Sequence, residues 1–174
     1  MTVNGKYLVV GLVTCCFIAG AGLIYTQNYA YYQNVTVNSS IEMDQDLGRG
    51  GSMMATDIRL TSLAGGITEA IPVSGFIGID ARTSPLKFRG CFISEHSLEQ
   101  LKRRYVQADH AVPLRPPAWF DCFDVKQLTE DLAKGAAVAF LGEREIAPGV
   151  DRLVAVYPDQ RAFAWHQFNQ DSQE

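Results

Sequence analysis

The sequence predicts an α+β protein, with one N-terminal transmembrane helix followed by a small, mainly antiparallel sheet domain with two helices. Three observations predict it. An uncharged apolar run fills Tyr7 to Tyr25; beyond residue 55 the apolar pattern alternates, turns helical and alternates again; and turn-forming residues separate those segments. With 174 residues, 47% apolar and 20% charged, the chain holds one globular domain and one extra segment, which excludes wholesale disorder, a collagen-like repeat and a coiled coil. Fifteen Lys and Arg against 19 Asp and Glu leave a net charge of -4. That balance argues against nucleic acid as a partner, because a binder needs a basic face to displace phosphate counterions.

The expected organisation is a cytoplasmic tip at residues 1–6, a transmembrane helix at 7–25, a linker at 26–55 and an exported domain at 56–174. The apolar run is 19 residues long, about 28 Å as a helix and close to the hydrocarbon thickness of a bilayer. Lys6 and the amino terminus are the basic groups before it, and Arg49 is the next one after it. The positive-inside bias therefore places the N-terminus in the cytoplasm and the rest outside. A cleaved signal sequence is the rival, with Ala19-Gly20-Ala21 as a small-residue cleavage site, but the apolar run continues beyond it through Leu23 and Ile24. On a helical wheel Gly11, Cys15, Ala19 and Gly22 share one stripe, where a partner helix would approach closely.

Residues 26–41 are uncharged and polar, residues 42–55 turn acidic and then glycine-rich, and no packed element is expected in either. Asp44-x-Asp46-x-Gly48 lacks the third acidic ligand and the twelfth-position glutamate of a calcium loop. Gly48 to Ser52 lacks the lysine of a phosphate loop. Asn34 and Asn38 each begin a glycosylation sequon, a short pattern that arises often by chance. From 57 to 63, 70 to 80 and 86 to 93, segments rich in Ile, Val and Phe predict a three-stranded meander. Ser97 with Gln100 makes a capping box, and Leu98, Leu101, Tyr105 and Ala108 predict a helix to about residue 108. Three prolines at 113, 116 and 117 dictate an extended crossing loop. A second helix starts at Asp124, with Gln127 in the box position and Gly135 as its stop. Strands at 137–141, 152–157 and 161–168 complete the domain, the last two as a hairpin.

The stretches Ser84-Pro85-Leu86-Lys87-Phe88-Arg89-Gly90-Cys91-Phe92 and Trp119-Phe120-Asp121-Cys122-Phe123-Asp124, together with the single anchor, resemble an uncharacterised alphaproteobacterial membrane-anchored family with a domain of unknown function. The resemblance implies an inner-membrane protein with its domain in the periplasm, and it brings no catalytic residues. Some copies of that family carry a histidine-kinase label, which no nucleotide-binding glycine box in this sequence supports.

Cys91 and Cys122 are the cysteines outside the apolar run, and in an oxidising compartment an even pair reads first as a structural disulfide. Two alternatives stand beside it: a copper- or haem-related thiol site with His96 as an added ligand, and buried free thiols. Cys15 and Cys16 read as packing residues. His96, His110 and His166 are scattered, and no serine sits in a nucleophile elbow, so no catalytic, metal or cofactor site is expected. His96 and His166 are expected at the surface or an interface. Lys102, Arg103 and Arg104 form the basic cluster, a solvated helix face or a contact for lipid or an acidic partner. Trp119 is read as a core plug or an exposed anchor for a partner. The functional expectation is a non-catalytic accessory subunit or assembly factor of an integral inner-membrane complex, with a respiratory electron-transport complex as first choice. A periplasmic ligand-binding or sensing module and a thiol or metal chaperone using Cys91 and Cys122 are the alternatives.

Overall fold

The computed structural model describes residues 5–37 and 54–170. The chain divides into two units between Tyr32 and Gln33. In the first, α1 (Gly5–Tyr25) is one uninterrupted helix with no buried residue, continued by a π-helical turn at Thr26–Ala30. By length and composition α1 can cross a membrane. Thr14 returns its hydroxyl to the Val10 carbonyl at 2.9 Å, which removes a polar group from the helix surface.

The second unit is the α+β domain. Its strands are β1 (Gln33–Val37), β2 (Met54–Thr56), β3 (Arg59–Thr61), β4 (Thr68–Ala70), β5 (Val73–Asp80), β6 (Arg89–Ser94), β7 (Val138–Leu141), β8 (Val150–Val156) and β9 (Arg161–Phe168). Seven of them form one sheet in the order β2-β1-β5-β6-β9-β8-β7. Neighbours from β1 to β7 in that order are antiparallel, and β2 joins the β1 edge in parallel. The helices are α2 (Leu98–Arg104) and α3 (Val125–Ala133).

Alternation along the strands gives the sheet two apolar faces. On one, Phe92, Ala162, Ala164, Val154, Val156 and Phe140 pack with Leu98, Leu101 and Tyr105 from the α2 segment and with Ile58 and Leu60. The other carries Cys91, Phe163, Trp165 and Arg89 and is covered by the loop before α3 and by α3 itself, with Phe123 edge-on to Phe163 and Trp165. Gly78 faces Gly90 across β5 and β6, and a methyl group at Gly78 would stand 2.5 Å from the Phe76 ring. The paired glycines are the hollow in which that ring lies. The ring reaches it through a bulge between Ser74 and Ile77, where Gly75 takes φ +62°.

Three expectations change. Residues 33–37, expected as linker, are a strand inside the sheet, because Val35 is an apolar residue between polar neighbours and is buried in the core. The strand near residue 60 does not continue a meander. It pairs with β4 in a separate hairpin, since the Ala64-Gly65-Gly66 turn brings Thr61 opposite Thr68. The first helix ends at Arg104 instead of about 108, because Tyr105 to Ala108 extend between the hairpin and β7, where Val106 donates to Thr61 and Ala108 to Ala139, each at 2.9 Å. The linker expectation also changes at both ends, where residues 26–30 continue α1 as a π-helical turn and residues 54–55 belong to β2; residues 38–53, with the Asp44–Asp46 loop, the glycine-rich stretch and the Asn38 sequon, lie outside the described residues.

Candidate functional site

A disulfide joins Cys91, near the middle of β6, to Cys122, two residues before the α3 cap, with Cα atoms 6.3 Å apart. It fastens the loop between the helices to the sheet. Two further ties reinforce it. Gln167 accepts from the Val112 amide at 2.8 Å and from the Trp165 indole at 3.1 Å, and its amide donates to the His110 carbonyl at 3.0 Å. Arg89, also buried, donates to the carbonyls of Leu114 at 2.6 Å, Leu86 at 2.8 Å and Phe88 at 2.5 Å. The prolines leave this loop without a regular ladder, so side chains from the sheet satisfy its backbone. Tyr157 donates to Asp131 of α3 at 2.8 Å; a bond from Gln127 first, and then this one, hold that carboxyl below its usual range.

On the opposite face Arg152 and His166 form a buried polar cluster. Arg152 Nε donates to His166 Nε2 at 3.0 Å, and its terminal nitrogen reaches Thr56 Oγ1 at 2.9 Å, the Asp57 carbonyl at 3.0 Å and the Glu143 carboxylate at 3.3 Å. Because the guanidinium can only donate, His166 Nε2 accepts. The imidazole proton therefore sits on Nδ1 and points at the Pro85 carbonyl, 2.6 Å away. Burial first, and then the Arg152 charge, push the His166 pKa down to about 3, so the ring is neutral at ordinary pH. Phe88 stacks on the imidazole at 4.6 Å and also lies under the guanidinium at 4.5 Å. The expectation of a surface His166 is thus overturned. Trp165, His166 and Gln167 are all buried, because both faces of β9 are covered and no solvent side is left for a polar residue. His110 is exposed and His96 half-buried.

The remaining predicted residues lie apart. Lys102, Arg103 and Arg104 occupy the last turn of α2, with Lys102 paired to Glu99 and Arg104 to Glu69, each at 3.1 Å. Trp119 is half-buried and meets the buried Phe120 edge-on at 6.2 Å. Gly11, Cys15, Ala19 and Gly22 are exposed on α1, and a side chain added at Gly11 or Gly22 would meet nothing within 4 Å. A depression of about 250 Å³ beside β8 and β9 is lined by Gln107, Asp109, His110, Arg144, Asp151 and Asn169, a mixture of charges with no focused sign. Among the described residues no three His, Cys, Asp or Glu side chains gather as a metal site would require.

The domain from the β3–β4 hairpin onward is the region matched by a family model, that of a family of unknown function, over residues 58–174. The chain belongs to the DUF6446 family. No curated protein and no solved structure matches it. The DUF6446 match begins at Ile58, so β1 and β2, which complete one edge of the sheet, lie ahead of it. Sequence reading found the disulfide pair of this domain and missed its most connected polar group. Arg152 is one charge in an alternating strand, and only its separation by 14 positions from a histidine on the paired strand, across a hairpin, could have marked it.

Proposed function

We propose that this DUF6446 chain is a bitopic protein of a bacterial inner membrane, with its domain on the periplasmic side. In this reading it serves as a non-catalytic accessory subunit or assembly factor of a membrane complex, and a respiratory electron-transport complex is the assembly to test first. The observation that carries the reading is α1: a helix long and apolar enough to cross a bilayer with no buried residue, so lipid or another helix must cover it. The disulfide agrees with a domain kept outside the cytoplasm. The domain's large buried polar groups, Arg89, Arg152, His166 and Gln167, are all engaged in bonds that hold its own layers together. Of these, Gln167 borders the depression beside β8 and β9, and its amide is taken up by the Val112, Trp165 and His110 bonds.

Extraction of the full chain in a mild detergent, followed by mass spectrometry of what co-purifies, tests the proposal. A constant set of integral-membrane proteins is expected, lost on Gly11→Leu or Ala19→Leu and kept on Val9→Leu or Val13→Leu, because bulk on the small-residue stripe holds helix backbones apart. Recovery of the same set after α1 is exchanged for an unrelated apolar span would reduce the helix to a tether. Recovery of no constant set at all would end the accessory-subunit reading.

A further inference from the structure

The β3–β4 hairpin ends in a tip of unusual chemistry. Five consecutive residues, Leu63-Ala64-Gly65-Gly66-Ile67, are all exposed, and none carries a side chain able to hydrogen-bond. Leu63 is 57% exposed and Ile67 66%. Turn tips facing water are usually built from Asn, Asp, Ser and Gly, whose polar side chains satisfy local backbone. Here the turn is closed from its base and by its own backbone: Ser62 donates to the Ile67 carbonyl at 2.8 Å, Gly66 to the Ser62 carbonyl at 3.1 Å and Ala64 to the Ser62 hydroxyl at 3.2 Å, with Gly65 and Gly66 at φ +85° and +68°. The two large apolar side chains are left free to enter an apolar phase without dragging an unsatisfied side chain with them.

The tip is also fixed to the basic cluster. Leu63 donates to the Arg104 carbonyl at 2.8 Å, and Ser62 bridges to Tyr105, so the hairpin and the last turn of α2 move as one piece. Lys102 and Arg104 are balanced by Glu99 and Glu69, which leaves Arg103, exposed and with no acidic partner among the described residues, as the net charge of this corner. Two exposed aliphatic side chains beside an unbalanced guanidinium match the boundary between acyl chains and anionic headgroups. Seven residues, 26–32, separate α1 from the first strand of the sheet. Even fully extended they reach only about 25 Å.

We infer that the Leu63–Ile67 tip and Arg103 form a lipid-facing contact that seats the domain on the anionic bilayer surface. The inference rests on the reading that α1 is embedded in that bilayer. Contact of this kind restricts how the domain turns on its anchor, and so which of its surfaces is presented to a membrane partner.

The test uses the full chain with Cys15→Ser and Cys16→Ser, carrying an environment-sensitive fluorophore on Ile67→Cys or, as a control on the other side of the sheet, on Thr129→Cys. Each chain is reconstituted into vesicles of phosphatidylcholine with phosphatidylglycerol, with and without lipid-borne quenchers. The expected result is a blue-shifted, quenched probe at position 67 and an unquenched probe at 129. Arg103→Glu should weaken quenching at 67, and so should added salt, each by about fivefold, the size set by one headgroup-proximal charge. Leu63→Ser should weaken it further. A probe at 67 that stays unquenched in a chain that floats with the vesicles overturns the inference and leaves the anchor intact. A probe at 67 that shifts only when membrane proteins are added assigns the tip to a protein surface and overturns it as well. A chain that does not float at all removes the anchor, and this contact with it.

Discussion

Each face of the sheet buries one arginine, and the two are satisfied in different ways. Arg152 lies beneath the hairpin and α2 layer and bonds to side chains: His166, Thr56 and Glu143, with a carbonyl in addition. Arg89 lies beneath the loop and α3 layer and donates to three backbone carbonyls. The difference follows from the layers. Regular structure pairs its own backbone, so a buried cation there turns to side-chain acceptors; Arg89 instead meets irregular backbone, one carbonyl from the proline-bearing loop at Leu114 and two from the turn before its own strand at Leu86 and Phe88. The irregular layer also receives the disulfide and the Gln167 bonds, the regular layer neither. A layer without a ladder is held by side chains reaching out of the sheet.

The largest effect should come from breaking the side-chain cluster. Arg152→Met leaves the His166 ring nitrogen and the Glu143 carboxylate without their donor, a loss of about 3 to 5 kcal/mol by analogy with buried ion pairs. Denaturant unfolding in detergent micelles measures it. Because Arg152 and His166 share the bond, Arg152→Met combined with His166→Leu should cost less than the sum of the two separate changes. Additive costs would mean the cluster is not a unit.

Next in size is the staple on the other face. Cys91 and Cys122 are 31 positions apart, and releasing a loop of that length gives about 3 to 4 kcal/mol by the chain-entropy estimate. The expected cost of the double change to serine is about 2 to 4 kcal/mol, since the Arg89 and Gln167 ties still restrain the loop. Alkylation without reductant should leave both cysteines unmodified in the native protein. Two readily labelled thiols would show that the irregular layer is held by hydrogen bonds alone.

The third difference is pH. His166 is depressed to about 3 in the folded domain, against roughly 6.5 when unfolded. Below the unfolded value the unfolded chain binds more protons than the native one, so this stability is complete above about pH 6.5 and falls as pH drops toward 3. Between about pH 7 and pH 5 the loss is about 2 kcal/mol. The groups acting on the ring are Arg152 and Arg89, which oppose its protonation, and the Pro85 carbonyl, which favours it. Asp80 works against this slope, because burial raises its carboxyl pKa and makes the native state the better proton binder near the carboxylate range. His166→Gln should flatten the dependence between pH 7 and 5 even if it lowers stability throughout. An unchanged slope would place the titration elsewhere.

The elements carried by local pattern were legible in the sequence. Ser97 and Gln100 form the expected reciprocal cap, Asp124 caps α3, and the last strands pair as a hairpin from Val150 to Phe168. Cys91 and Cys122 were legible because two cysteines outside an apolar run leave few choices. What was not legible depends on partners remote in the chain. Gln33–Val37 holds a single buried residue and becomes a strand only because β5 offers it an edge. His166 looked like a polar residue on a half-exposed strand, and its burial depends on Pro85, 81 positions away. The exposed Leu63 reads as the end of a strand and Ile67 falls between two expected strands, and their place at a hairpin tip emerges only when the hairpin separates from the main sheet.

The smallest effects lie in the two helix caps, one on each face. Ser97 accepts from the Gln100 amide at 3.3 Å while the Gln100 side chain accepts from the Ser97 amide at 2.9 Å, two neutral bonds that close on each other. Asp124 uses one carboxylate oxygen for the amides of Lys126 and Gln127 at 3.0 and 3.1 Å, and brings a negative charge to the positive end of the helix dipole. Ser97→Ala and Asp124→Ala should each cost about 1 kcal/mol. Their salt dependence should differ, because screening acts on the charge at Asp124 and not on the hydroxyl at Ser97. Asp124→Asn keeps an acceptor oxygen and loses the charge, so it should cost only a few tenths of a kcal/mol and abolish the salt sensitivity. Unfolding of these variants at low and high salt measures both terms. If Asp124→Asn costs as much as Asp124→Ala, the charge rather than the cap fixes the start of α3, and the irregular face depends on electrostatics where the regular face depends on hydrogen-bond geometry.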